Sequence, residues 1–196
     1  MKIIQANQAS FDPRPQMSRI FVEGFYPWIK HINEDKNLLI KVFTHIFDLE
    51  WFYIAVEDEK IAAMAACTNS APPVKLCRKE FSQALGPLRG NISYFILRRH
   101  MMNNSMPFPI CKKTGVIEFV TTAPESRKQG IGQALLSHIM ATSPHDSYIL
   151  EVADTNSEAM RLYERLGFKE FKRVRASKRS GVNAFIYMRY SAALKL

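Results

Sequence analysis

Two glycines in a short basic segment are the first residues of this sequence that could bind a ligand. The segment runs from Arg127 to Gly132 and has the sequence RKQGIG. Gly130 and Gly132 let backbone N–H groups approach a ligand closely, and a helix that begins here adds unpaired N–H donors. The helix dipole and the charges of Arg127 and Lys128 favour an anion. We therefore expect this segment to bind a phosphate or a pyrophosphate.

The spacing of these glycines separates the segment from two common nucleotide-binding motifs. No Gly-Lys-Ser/Thr follows, as a P-loop requires, and position 135 is leucine where a GxGxxG fingerprint has glycine. Two glycines alone are a weak signal. The identity of the anion has to come from residues further along the chain.

A second group of residues follows after the next predicted strand. It consists of Asn156 and the segment LYERLGF, Leu162–Phe168, which contains Tyr163. Together the two groups give the order strand, Arg127-x-x-Gly130-x-Gly132, helix, strand, Asn, and a Tyr-containing helix that ends in Leu-Gly-Phe. This order resembles the GNAT superfamily of N-acetyltransferases. The resemblance covers about residues 116–171. It implies the transfer of an acetyl group from acetyl-CoA to an amine.

The resemblance also implies a role for each part of the motif. The strand residues Val120, Thr121 and Thr122 would offer backbone groups to the pantetheine arm and to the thioester carbonyl. The pyrophosphate would be held by Arg127, Lys128, Gln129, Gly130, Ile131, Gly132 and Gln133. Asn156 would contact the pantetheine, and Tyr163 would lie near the thioester sulfur. The two threonines stand where the family usually has apolar residues, so a slightly more polar acyl pocket is expected.

Attack of an amine on a thioester needs a base for the amine and a proton for the leaving thiolate. Tyr163 is the candidate acid, because an ordinary phenol pKa of about 10 lies near that of a thiol; the alternative is a packing residue on an amphipathic helix. Three glutamates are candidate bases. Glu151 lies in an apolar strand and resembles the base of ribosomal-protein alanine acetyltransferases. Glu118 lies in the preceding strand, and Glu23 lies on a helix that would border the acceptor groove. Glu118 and Glu151 are equally consistent with solvent-facing strand positions.

Hydrophobic periodicity places these residues on an alternating series of helices and strands. Helices are predicted over Met17–Trp28, Leu38–Phe47, Lys79–Met102 with a break at Gly86-Pro87, Gly130–Met140 and Ser157–Leu166. Strands are predicted over Trp51–Val56, Ile61–Cys67, Val116–Thr122, Tyr148–Val152, Lys169–Ala176 and Asn183–Tyr190, the last two joined by a turn at Ser180-Gly181. The strands on either side of the Gly130 helix should be parallel. The fold class is α/β or mixed α+β, and the resemblance implies a central twisted mixed sheet of about six to seven strands flanked by helices.

Length and composition favour one soluble domain. A chain of 196 residues, 47% hydrophobic and 23% charged, fits a single globular domain over residues 1–196. Lys79–Lys113 is longer than the resemblance leads us to expect, so we interpret it as an inserted helical and loop segment that includes a mobile loop, Asn103–Lys113. The longest apolar run, Ile61–Cys67, is too short to span a membrane, and no secretory h-region follows the N-terminus. We expect a cytoplasmic protein.

The net charge of +9 is concentrated towards the C-terminus. Between Arg165 and Arg179 lie seven basic residues and one acid, Glu170. Such a patch suits any polyanion, including a nucleotide cofactor, and it is equally typical of a solvated hairpin face. No nucleic-acid recognition module accompanies the patch, so nucleic-acid binding is the weakest of the functional hypotheses.

The cysteines and histidines give no sign of a metal site. Cys67, Cys77 and Cys111 lack ligand or redox spacing and are expected to be free thiols in a reducing compartment. The histidines at 31, 45, 100, 138 and 145 form no ligand pattern.

The resemblance predicts transfer of an acetyl group to a primary amine of a small molecule or peptide, in a ternary complex. We expect the protein to be a monomer or a homodimer. The alternative is a non-catalytic acyl-CoA-binding module on the same fold.

Overall fold

A seven-stranded mixed sheet is the centre of the computed structural model, which describes residues 1–69, 71–102, 106–177 and 181–191. The strands are β1 (Lys2–Gln5), β2 (Phe52–Glu57), β3 (Lys60–Thr68), β4 (Thr114–Thr122), β5 (Ser147–Ala153), β6 (Lys169–Arg175) and β7 (Ala184–Ser191). Their spatial order is β1-β2-β3-β4-β5-β7-β6. β4 and β5 are parallel, as predicted, and the other neighbouring strands are antiparallel. The predicted mixed sheet with flanking helices is confirmed.

Six α-helices lie within the described residues: α1 (Arg14–Ile29), α2 (Lys36–Phe43), α3 (Arg78–Leu85), α4 (Pro87–Met101), α5 (Ile131–Thr142) and α6 (Ser157–Arg165). Several of their starts follow ordinary capping rules. Asp35 caps α2 by accepting hydrogen bonds from the N–H groups of Asn37, at 2.8 Å, and Leu38, at 3.3 Å. The predicted break between α3 and α4 is present, since Gly86 has a φ of +81° and Pro87 begins α4.

Two apolar cores of described residues cover the opposite faces of the sheet. One lies under α1 and α2 and includes Phe21 and Phe43, and the other lies under α5 and includes Leu135 and Ile139. Alternate residues of β3 belong to different cores, with Ala66 in the first and its neighbours in the second. Successive strand residues point to opposite faces, so the uninterrupted apolar sequence of β3 follows from burial on both sides.

Three details differ from the sequence prediction. Strand β1 was not predicted, because four residues at an edge carry too little periodicity to be recognised. The second helix ends at Phe43, although the apolar residues Ile46 and Phe47 beyond it are buried. Trp28, at the end of the apolar periodicity of the predicted helix Met17–Trp28, is 41% exposed rather than buried, and its ring lies against Phe185 of β7, with centroids 6.1 Å apart.

The segment between β3 and β4 packs onto the α1 side of the sheet through α3. Phe81 of α3 is fully buried in that core. Gly90 allows α4 to lie close to α3, because a Cβ at this position would overlap the carbonyl oxygen of Phe81. Of the predicted loop Asn103–Lys113, residues 103–105 lie outside the described residues, and residues 106–113 form neither helix nor strand. Within the described chain, no helix has the length and hydropathy that crossing a membrane requires.

Candidate active site

Strands β4 and β5 separate partway along their length. Their parallel ladder pairs residues 114–117 with residues 147–150 and stops there, although β4 continues to Thr122 and β5 to Ala153. On its other side, β4 stays paired with β3 as far as Thr122. Residues 118–122 therefore have one backbone edge without a strand partner in the described chain. Such an edge can hydrogen-bond an extended ligand.

A β-bulge at Phe119 decides which side chains face the opening. Ala66 of β3 pairs with Glu118 and Met64 pairs with Thr121, so two residues of β4 face one residue of β3 between these pairs. Phe119 has a φ of +55°, in the left-handed region that few non-glycine residues adopt. Because of this bulge, Glu118 and Phe119 both lie on the α1 face, whereas Val120 packs in the α5 core. Simple alternation would have exchanged the faces of residues 119 and 120.

Two of the three predicted bases come together on this face. Glu151 of β5 lies one step beyond the last β4–β5 pair, beside Glu118 of β4. Burial, and to a lesser extent the charge of Glu151, raise the pKa of Glu118 to about 7. Burial also raises the pKa of Glu151, but this residue keeps contact with solvent, so we assign the larger shift to Glu118. A carboxyl that titrates near neutral pH is well matched to accept a proton from an amine.

Tyr187 is a site residue that the sequence did not reveal. It lies opposite Glu151 in the β5–β7 register, so the two side chains share one face of the sheet, and its hydroxyl partly offsets the effect of burial on the pKa of Glu151. Burial and this carboxylate raise the pKa of Tyr187, so the phenol stays protonated and remains a donor. The third predicted base, Glu23, forms an ion pair with Lys36 at 2.8 Å. The Glu23 carboxylate is thus bound to Lys36 of α2 and is a weaker candidate for the base than Glu118.

The glycine segment forms the predicted loop in front of α5. Gly130 is the N-cap residue of α5 and has a φ of +77°, while a Cβ at this position would meet nothing within 4 Å. The need for glycine is therefore conformational. Among the described residues no side chain caps α5, so the first N–H groups of the helix are free to bind an anion. Arg127, Lys128 and Gln129 are exposed beside them. The loop and helix start fit a pyrophosphate.

Gly132 places this loop next to the free edge of β4. A Cβ at Gly132 would lie 3.4 Å from Oγ1 of Thr122 and 3.6 Å from Cδ2 of Leu162. The start of α5 therefore meets the end of β4 and the side of α6. Ile131 is buried in the α5 core, so its N–H rather than its side chain is available to a ligand, and Gln133 is exposed.

The two threonines at the end of β4 have separate packing roles. Thr121 is 9% exposed and lies against Gly24 of α1, where a Cβ would overlap its Oγ1 atom. Thr122 lies on the α5 side, and its carbonyl oxygen accepts a hydrogen bond from Nε of Arg127 at 3.4 Å. Their side chains are thus engaged in packing. The more polar acyl pocket stays a prediction.

Asn156 and Tyr163 lie on or beside α6, behind the free edge of β4. Asn156 caps α6, since its Oδ1 accepts a hydrogen bond from the N–H of Ala159 at 3.2 Å, and this leaves its amide NH2 as a donor. Tyr163 is 5% exposed and packs in the α5 core with Val120. Burial raises the pKa of Tyr163 above the ordinary phenol value assumed from the sequence. Such a phenol is better suited to donating a hydrogen bond to a thiolate than to giving up its proton completely.

Other reactive or charged groups fit the site less well. Burial raises the pKa of Cys67 to about 11, which keeps its thiol protonated and makes it a poor nucleophile at neutral pH. The basic residues of β6 are mostly exposed, and Arg173 pairs with Glu170 at 2.9 Å. Lys178, Arg179 and Ser180 of the predicted patch and turn lie outside the described residues.

Known acetyltransferases share this fold and parts of this sequence. The structure of an N-acetyltransferase from Staphylococcus aureus Mu50 matches 97% of this chain and 100% of that chain, with a TM-score of 0.65 and 15% identity. The 5-NmdU N-acetyltransferase of Pseudomonas phage PaMx11 is 43% identical over 53 residues, which are 27% of this chain and 38% of that protein. An N-alpha-acetyltransferase of Sulfurisphaera tokodaii is 33% identical over 88 residues, which are 43% of this chain and 53% of that protein. The chain thus spans about a third to a half of the length of these two relatives.

The model of the acetyltransferase (GNAT) family matches residues 15–168. The chain therefore belongs to the GNAT family of acetyltransferases, and the resemblance that the sequence motifs indicated is confirmed. The matched range contains the glycine loop, Glu118, Glu151 and Tyr163. Tyr187 lies beyond it.

Proposed function

We propose that this protein transfers the acetyl group of acetyl-CoA to a primary amine of a small molecule or peptide, by direct attack within a ternary complex. The observation that carries this proposal is the position of Glu118. A carboxyl with a pKa of about 7 lies at the start of the free edge of β4, and the anion-binding loop follows the end of the same strand. A base, an oxyanion donor and a phosphate site are thereby aligned along one strand.

The described residues fit acetyl-CoA, which supplies an acetyl group activated as a thioester. Arg127, Lys128 and the first N–H groups of α5 offer charge and hydrogen bonds to the pyrophosphate. The free edge of β4 at residues 120–122 and the amide NH2 of Asn156 can hydrogen-bond the pantetheine amides. These groups would place the thioester between the end of β4 and Tyr163.

The acid–base chemistry follows from the two carboxylates and the phenol. Glu118 in its ionised form takes a proton from the acceptor ammonium, directly or through one water, so that a neutral amine can attack. Backbone N–H groups at the free edge of β4 stabilise the charge that develops on the carbonyl oxygen as the C–N bond forms. The C–S bond would then break with the hydroxyl of Tyr163 hydrogen-bonded to the departing sulfur. The proton that the nitrogen loses on becoming an amide would pass to this thiolate, which leaves as the thiol.

The names of the two sequence relatives give the first acceptors to try. A protein or peptide α-amine corresponds to the N-alpha-acetyltransferase, and 5-NmdU corresponds to the phage enzyme. The exposed basic residues of β6 would favour an acceptor that carries negative charge near its amine. The free thiols Cys77 and Cys111 are exposed, which supports action in a reducing compartment such as the cytoplasm.

Calorimetry and an acceptor screen together test the proposal. The purified chain should bind acetyl-CoA at sub-millimolar concentration, and mass spectrometry should detect acetylation of at least one compound among peptide α-amines, 5-NmdU, amino acids, polyamines and aminoglycosides. Binding of acetyl-CoA without transfer to any amine would favour the non-catalytic acyl-CoA-binding module. Absence of binding would contradict both functions.

A further inference from the structure

Pro107 and Phe108, which precede β4, contact strands β6 and β7 beside the two glutamates. The Nζ atom of Lys172 donates a hydrogen bond to the carbonyl oxygen of Pro107 at 2.8 Å. The ring of Phe108 stands edge-on to Phe171, with centroids 4.9 Å apart, and to Tyr187, with centroids 5.2 Å apart. Lys172 also lies 5.7 Å from the centroid of the Phe108 ring. One hydrogen bond and three ring contacts therefore fix this segment on the hairpin.

A row of residues across the sheet connects Phe108 to the candidate active site. Lys172 of β6 lies opposite Tyr187 of β7, and Tyr187 lies opposite Glu151 of β5. Residues directly opposite one another point to the same face of a sheet. Tyr187 is only 6% exposed and belongs to neither apolar core. Among the described residues, Phe108 is the aromatic ring that contacts Tyr187.

We propose that Phe108 is a positioning residue for acetyl transfer: its ring packs against Tyr187 and thereby keeps the Tyr187 hydroxyl beside Glu151. This inference rests on the proposed function, because that reaction is what requires the carboxylates to be held. The inserted segment would thereby act on the reaction without touching the reacting atoms.

Phe108 can be replaced without removing any charged group near the two glutamates. Glu118 interacts electrostatically with Glu151 and with Cys67 of β3, and Glu151 interacts with Tyr187 of β7. The other charged residues on the surrounding elements are Lys172 of β6, Arg189 of β7 and, on α1 and α2, the ion-paired Glu23 and Lys36. Lys172 and Arg189 lie over aromatic rings, Arg189 at 4.3 Å from the centroid of Phe171. Replacing Phe108 with alanine removes the cover over Tyr187 and leaves every one of these charges in place.

Steady-state kinetics with an amine found in the acceptor screen provides the first arm of the test. In Phe108→Ala, kcat/KM for the amine should fall roughly tenfold through loss of alignment, while KM for acetyl-CoA changes by less than about twofold. Phe108→Leu keeps an apolar cover and should recover most of the activity. Phe95→Ala is the matched control, because Phe95 is an exposed ring of the same inserted segment, 54% exposed on α4. It should behave as the unmodified protein.

Titration of 13C-labelled glutamate carboxyls by NMR provides a second arm that needs no acceptor. In Phe108→Ala, Tyr187 loses this packing contact and its hydroxyl is no longer held beside Glu151, so the pKa of Glu151 should move up. In Phe108→Leu and Phe95→Ala it should stay. Unchanged titration together with unchanged kcat/KM in Phe108→Ala would overturn the inference, as would an equal loss in Phe95→Ala. If no amine is acetylated, the proposed function fails, and the titration alone still decides whether Phe108 keeps Tyr187 beside Glu151.

Discussion

Glu118 and Glu151 lie side by side on one face of the sheet, one step beyond the last pair of the β4–β5 ladder. Burial and, to a lesser extent, the charge of Glu151 raise the pKa of Glu118 to about 7, whereas burial raises the pKa of Glu151 and the Tyr187 hydroxyl partly offsets that rise. The pKa values of the two carboxylates are thus shifted by different neighbours. Glu118 is the better candidate for the base, and Glu151 for a fixed negative charge beside it.

Removing the second carboxylate tests this division of roles. In Glu151→Gln the repulsion on Glu118 disappears and the pKa of Glu118 falls, although burial still keeps it above its ordinary value. The acid limb of kcat/KM for the amine should therefore move to lower pH, with most of the activity retained at its optimum. A pH–rate profile from about pH 5 to about pH 9 measures this shift. Glu170→Gln, on exposed β6, serves as the control, and loss of activity at every pH in Glu151→Gln would assign the base to Glu151.

The raised pKa of Glu118 should also appear as a loss of stability above neutral pH. The folded pKa of about 7 exceeds the unfolded value of about 4.3, so the folded state binds more protons between these values and stability falls as the pH rises through them. Glu118→Gln removes this cost. It should be more stable than the unmodified protein by roughly 3.5 kcal/mol at about pH 8 and equally stable at about pH 4. Urea unfolding at both pH values measures the difference, and an identical difference at both would show that the charge of Glu118 is not its cause.

Two glycines with similar backbone conformations separate local strain from ligand binding. Gly130 has a φ of +77° and Gly181 a φ of +75°, and a Cβ at either position would meet nothing within 4 Å. Alanine at either position should reduce the free energy of unfolding by about 1 kcal/mol, because an L-residue is disfavoured in the left-handed region. Only Gly130→Ala should also weaken acetyl-CoA binding, since it alone alters the loop in front of α5. Calorimetric dissociation constants decide this, and equal weakening in both variants would remove the loop from the donor site.

Tyr163 can be tested without damaging the core around it. Phenylalanine keeps the ring contact with Phe168, whose centroid lies 6.0 Å away, and removes only the hydroxyl. Tyr163→Phe should lower kcat by roughly a hundredfold while KM for acetyl-CoA and the melting temperature stay close to those of the unmodified protein. Because burial raises the pKa of Tyr163, no basic limb from its ionisation is expected near neutral pH. Unchanged kcat would reduce Tyr163 to a packing residue.

The candidate cofactor half of the site could be predicted from the sequence because its residues lie close together along the chain. Neighbouring residues define each of its parts: the loop from Arg127 to Gly132, the cap at Asn156 and the helix that carries Tyr163. Helix and turn signals of this kind can be recognised in the sequence from residue type and spacing. The same holds for the parallel arrangement of β4 and β5, which follows from a strand–helix–strand order.

The acceptor half depends on register and long-range packing, which spacing does not encode. The contact between Tyr187 and Glu151 requires the β5–β7 register, and the pKa of Glu118 requires both burial and a neighbour on another strand. The bulge at Phe119 reverses the faces expected from alternation. Phe108 reaches the hairpin from a loop whose sequence gives no sign of its partner.

The pH dependence of acetyl transfer by the unmodified protein and by Glu118→Gln tests the central claim most directly. With acetyl-CoA and a responsive amine, kcat/KM for the unmodified protein should rise with pH through a midpoint near 7, where Glu118 loses its proton. Glu118→Gln should lose that limb and fall by roughly a hundredfold or more, with acetyl-CoA binding unchanged. A Glu118→Gln profile with the same midpoint and the same rate would contradict the assignment of Glu118 as the base.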